Sequence, residues 1–91
     1  MVSAVVLIKA EIEQVEAVAN ALVNLKGITQ VFSVAGHYDL VALASVREND
    51  DLADLVSGAI RKLPGISSTE TLIAFRVYSS EELRVGLAFG D

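Results

Sequence analysis

The 91 residues include no cysteine and no tryptophan, and only one histidine, one proline and one methionine. Without thiols the chain can form no disulfide, no cysteine-ligated metal site and no thiol nucleophile. His37 has no second histidine to work with, no carboxylate pair falls on a predicted strand facing a cavity, and there is no phosphate-binding glycine loop. No catalytic residue, metal site or cofactor is therefore assigned. Seven Lys and Arg face twelve Asp and Glu, giving a net charge of −5, and the basic residues are scattered. A surface that held a phosphate backbone would need them clustered, so direct nucleic-acid binding is not expected. No apolar run approaches the ~20 residues of a membrane span. Ser3 and Lys9 interrupt the first apolar residues and no basic region with a cleavage site follows. The expectation is a cytoplasmic protein whose N-terminus belongs to the fold.

What the chain has in excess is apolar surface. Hydrophobic residues make up 53% of it and charged ones 21%. A chain of this length forms one domain, spanning 1–91 with 79–91 as a tail, and buries only about 60–65% of the surface exposed when unfolded. The surplus is expected in contacts between subunits.

Val2 to Lys9 reads as a strand with Val2, Ala4, Val6 and Ile8 on one face and Ser3, Val5, Leu7 and Lys9 on the other. Both faces are largely apolar, so each needs a cover. Glu13 to Lys26 carries Val15, Val18, Ala19, Leu22 and Leu25 at helical spacing, with Gly27 to end it. Ile28 to Ala35 and Leu40 to Arg47 alternate as strands, and Gly36-His37-Tyr38-Asp39 between them makes a short hairpin loop. Asn49-Asp50-Asp51 signals a helix start, Leu52, Leu55, Val56, Ala59 and Ile60 form its apolar stripe, and Pro64-Gly65 stops it. The last strand is expected over Ile66 to Tyr78. Ser79-Ser80-Glu81-Glu82 has capping-box spacing for a short turn, and the tail residues Leu83, Val85, Leu87 and Phe89 are expected to pack on a neighbouring subunit.

The two helix endings echo each other, Leu25-Lys26-Gly27-Ile28-Thr29 and Leu63-Pro64-Gly65-Ile66-Ser67. Two such units give the order βαββαβ, the ferredoxin-like arrangement within the α+β class: a four-stranded antiparallel sheet with both helices on one face. The other face is too apolar to stay wet, so two subunits are expected to pack sheet to sheet as a dimeric α+β barrel.

The run Val31-Phe32-Ser33-Val34-Ala35-Gly36-His37-Tyr38-Asp39-Leu40, followed by a helix, Leu63-Pro64-Gly65-Ile66 and Thr69-Glu70-Thr71, resembles the effector-binding (RAM) domain of the Lrp/AsnC transcription regulators. The resemblance runs from about Ser3 to Tyr78. It implies dimerisation through the sheets, assembly into larger rings, and an amino acid or related small effector bound between dimers. Gly36, Tyr38, Asp39, Thr69 and Thr71 occupy the motif positions that contribute to that ligand site. The family regulators have a helix-turn-helix domain ahead of this module, whereas here the module begins within the first few residues, so the resemblance is to stand-alone members and puts DNA binding in doubt. A full-length regulator of the family is then a possible partner.

Each of these residues also has a plain structural alternative. Asp39 could accept a ligand's amino group or satisfy backbone amides in its turn. Thr69 and Thr71 share a strand face and could donate to a carboxylate, although β-propensity alone explains threonines there. Gly36 fits a backbone requirement, and His37 fits an exposed, uninvolved side chain. Arg47, Arg76 and Lys9 fit ion pairs with Glu70 or with a partner's acids. Two further functions stay open: a small dimeric α+β barrel enzyme acting without a metal, and an assembly partner that binds no ligand.

Overall fold

In the computed structural model, residues 1–78 and residue 80 are described. Strand β1 (Val2–Ala10) leads through a 3₁₀ turn (Ile12–Gln14) into helix α1 (Val15–Val23). Strands β2 (Ile28–Ser33) and β3 (Leu40–Val46) follow, then a second helical segment and strand β4 (Ile66–Ile73). The strands lie in the order β2-β3-β1-β4 and every neighbouring pair is antiparallel. The sheet order and the two helical connections are those of the ferredoxin-like arrangement.

The alternation in β1 separates the two faces as expected. Val6 pairs with Ala42 and Ile8 with Leu40, and all four are fully buried. Val18 and Leu22 of α1, four residues apart, pack into the same core, as do Leu52, Leu55 and Ile60 of the second helix. Burying side chains of this size stabilises the fold by roughly 1.5–3 kcal/mol each. On the opposite face Val5 pairs with Leu43 and Leu7 with Val41, all only half-buried.

Several elements end earlier than the periodicity predicts, for identifiable reasons. Helix α1 stops at Val23, short of Lys26, because the chain tightens: Asn24 N–H donates to Ala21 O and Leu25 N–H to Leu22 O. Strand β2 stops at Ser33, short of Ala35, where Val34 N–H donates to Asp39 O and closes the loop. Strand β4 stops at Ile73 instead of Tyr78 because its partner runs out. Ile73 pairs with Ala4 and Ala74 N–H still reaches Ser3 O, but β1 begins at Val2. Phe75, Val77 and Tyr78 are consequently exposed.

The second helix is not regular. It comprises an α-helical turn α2 (Asn49–Ala53), a π-helical segment (Asp54–Ala59) and a 3₁₀ turn (Ile60–Lys62). Glu48 stands at its N-cap position, one residue before the expected start, and its N–H donates to Asp51 Oδ2 at 3.2 Å. The wide π turn has a packing rationale. In a regular α-helix five residues rotate a side chain by a net angle of about 140°, which would carry Ile60 away from the face that buries Leu55. With i→i+5 bonding the two stay aligned, and both are buried.

Gly27 and Gly65 close the two helical units with φ of 102° and 92°. At Gly65 a side chain would also collide, since a Cβ there would lie 2.6 Å from Cβ of Gln14. No helix among the described residues is long and apolar enough to cross a membrane. The anticipated capping box at 79–82 and the tail at 83–91 lie outside the described residues, Ser80 excepted.

Candidate functional site

The hairpin tip is held by hydrogen bonds to β1. Asp39 N–H donates to Ile8 O at 2.9 Å, and the Asp39 carboxylate accepts the N–H of Ala10 through Oδ2 at 2.9 Å. Ala10 is 8% exposed, so this carboxylate satisfies an almost fully buried donor. Asp39 thus does the backbone work expected of it, but for a strand 29 residues away and not for its own turn. Gly36 adopts a φ of 137°, and a Cβ there would meet nothing within 4 Å, so backbone conformation alone calls for glycine. His37 is exposed.

Tyr38 points the other way. Its hydroxyl donates to Glu70 Oε1 at 2.6 Å, joining the hairpin to β4 over the end of β1. The carboxylate that accepts this bond, with smaller contributions from desolvation and from its charge, raises the Tyr38 phenol above the ordinary tyrosine value. Glu70 pairs with Leu7, so it lies on the sheet face away from the helices. Its hydrogen-bond partner there is Tyr38, where the sequence offered Arg47, Arg76 or Lys9 for an ion pair; only the sheet order brings Glu70 to the hairpin.

Thr69 and Thr71 share a face as expected, and it is the helix face: they pair with the buried Ile8 and Val6. Each lines a different groove between β4 and the second helix. Thr71 borders one of about 620 Å³ with Leu52, Val56 and Phe75, and Thr69 borders one of about 520 Å³ with Ser57 and Arg61. The five candidate residues therefore do not converge on one cavity, and Gly36 stays in the loop between β2 and β3. Tyr38 lies with Glu70 on the open face, Thr69 and Thr71 lie on the helix face, and Asp39 sits at the end of β1 between them. A larger groove, about 890 Å³, lies at the far end of β3 between Lys26, Arg47, Asp51 and Leu55, and none of the five lines it. Among the described residues no group of three or more His, Asp or Glu could hold a metal ion.

Comparison with known proteins agrees with this architecture. A solved structure of TTHA0845 from Thermus thermophilus superposes with a TM-score of 0.83 at 42% identity, covering 87% of this chain and 99% of that one. A feast or famine regulatory protein of M. tuberculosis (Rv3291c), solved in complex with L-methionine, gives 0.75 at 26% identity, covering 89% of this chain and 54% of that one. An uncharacterised HTH-type transcriptional regulator of Pyrococcus horikoshii, PH1692, is 24% identical over 79 residues, 87% of this chain and 53% of the regulator. The chain spans about half the length of the curated relatives it matches. The profile of the Lrp/AsnC ligand binding domain matches residues 3–83, nearly the whole sequence, and the chain belongs to that family.

Proposed function

We propose that the chain is an effector-binding module that oligomerises and senses an amino acid or related small metabolite at the boundaries between its copies, in the service of transcriptional or metabolic regulation. The observation that carries this is the open sheet face. Val5, Leu7, Val41 and Leu43 form a half-buried apolar floor there, and Phe32 and Leu72 beside it stay 45% and 47% exposed. Such a surface is what a second sheet would cover. On this reading Gly36, Tyr38, Asp39, Thr69 and Thr71 contribute to a ligand site that a neighbouring copy completes. The relative solved with L-methionine supports an amino acid as the effector class. A full-length regulator of the family could take the place of a second copy in a mixed assembly.

Family membership favours binding over catalysis. In the enzymatic alternative, a small dimeric α+β barrel enzyme acting without a metal, exchange of His37 or Tyr38 would abolish turnover and leave assembly intact.

The test is molar mass by light scattering over a dilution series, alone and with each of the twenty amino acids. A dimer or larger species whose mass shifts with one or a few amino acids is expected, with Thr71→Val weakening the response. A monomer at all concentrations would overturn the account of the open face. An assembly that ignores the whole panel would overturn amino-acid sensing and leave an assembly scaffold.

A further inference from the structure

The groove between the start of β4 and the end of the second helix has a chemistry unlike the rest of this acidic chain. Arg61, Ser57, Ser67, Ser68 and Thr69 line its 520 Å³ over an apolar base of Val56 and Ile66, and no carboxylate is among the described residues that line it. The guanidinium and the hydroxyls of Ser57, Ser67 and Thr69 are all hydrogen-bond donors. Glu11 and Glu13 line a separate recess beyond Ser67.

Two backbone irregularities build this groove from its opposite walls. In β4 the register against β1 shifts between Lys9, which pairs with Ser68, and Ala10, which pairs with Ile66, so Ser67 is the extra residue of a β-bulge. Thr69, opposite the buried Ile8, faces the helices, Ser67 borders the groove as the unpaired residue of the bulge, and Ser68, opposite Lys9, turns its side chain to the other face of the sheet. On the other wall the π-helical segment contains Ser57 and the 3₁₀ turn after it contains Arg61. Because β4 is an edge strand, its outward N–H groups also lack a neighbouring strand.

We infer that this groove is a binding site for a small oxyanion, with Arg61 supplying the charge and Ser57, Ser67 and Thr69 supplying hydroxyl donors. The ligand chemistry is a carboxylate or a phosphate group. Arginine and hydroxyls suit both, through charge-assisted hydrogen bonds to two or three oxygens. The site is open and has one cation, so affinity for the bare anion is on the order of millimolar. It shares Thr69 with the proposed effector site but is built within one copy, so it does not require assembly.

The test is a titration of the ¹⁵N-labelled protein, followed by amide resonances, with inorganic phosphate and with acetate, each against chloride at matched ionic strength. Saturable shifts centred on Ser57, Arg61 and Ser67 to Thr69 are expected. Saturation by acetate assigns the site to carboxylates, and saturation by phosphate alone assigns it to phosphate groups. Arg61→Gln, an exposed position, should weaken binding by about tenfold or more, and Arg61→Lys should retain part of it. Shifts that merely follow ionic strength, or that persist unchanged in Arg61→Gln, would overturn the assignment. Light scattering of Arg61→Gln with the amino-acid panel separates this outcome from the sensing function, since loss of anion binding with an intact mass response leaves that function standing.

Discussion

Replacing Asp39 by alanine probes the anchor that ties the hairpin to β1. The substitution removes a charged acceptor 2.9 Å from Ala10 N–H and leaves that donor in a position only 8% exposed. A hydrogen bond to a charged group contributes about 1.5–3 kcal/mol, and a buried donor without a partner costs a similar amount. Folded domains have about 5–15 kcal/mol in total, so the loss is a large fraction of the stability. The two backbone bonds of Asp39, from its N–H to Ile8 O and from Val34 N–H to its carbonyl, do not depend on the side chain and should survive. For a chain of this size the urea midpoint should fall by about 1–2 M at unchanged slope. Asp39→Asn keeps an oxygen acceptor and should lose about half as much. Protein concentration has to be held fixed, because assembly adds its own stabilisation. Hydrogen exchange supplies the local check: the Ala10 amide should be protected in the parent chain and exchange fast in the alanine variant. A midpoint unmoved by Asp39→Ala, with Ala10 still protected, would refute the anchor.

Gly65→Ala should destabilise more than Gly36→Ala in the same urea assay. Both carry positive φ, which costs an L-residue roughly 1–2 kcal/mol, but only at Gly65 does the new Cβ collide, 2.6 Å from Gln14 Cβ. Equal losses would show that the loop, not the collision, sets the cost. The Tyr38 phenol should ionise above the ordinary tyrosine range, and Glu70→Gln should bring it down; tyrosinate absorbance in a Tyr78→Phe background reads this directly. Since the folded-state pKa is raised, the stabilisation is fully present below the ordinary value of about 10 and is lost as pH climbs through the raised one.

The period-two pattern of β1 and β3 was enough to assign faces, because Val6 and Ile8 alternate with Val5 and Leu7 and the burial follows. Element ends were harder to read. Alternation continues smoothly to Tyr78, and nothing local shows that β1, which begins at Val2, is nearly used up at Ser3. The π turn was equally hidden: Leu52, Val56 and Ile60 fit an α-helical spacing, as do Leu55 and Ala59, so the stripe looks regular until Leu55 and Ile60 have to be buried together. In the candidate site, motif resemblance supplied the residue names and the strand period placed Thr69 with Thr71. The partners Ala10 and Glu70 lie 29 and 32 residues from Asp39 and Tyr38, and only the sheet order brings them together.

Strand β1 precedes the other elements described and lies inside the sheet, paired on one side with β3 and on the other with β4, the last strand among the described residues. A chain growing from its N-terminus therefore cannot complete the sheet until Ile73 has been made. Until then β1, apolar on both faces, has an open edge where β4 belongs. Pairing the first strand with the last is a contact of high sequence separation, which slows folding and lengthens the time that such an edge is available to other chains. A truncation before β4 would leave that edge open permanently, so shortened versions of this chain should aggregate instead of folding to a smaller unit.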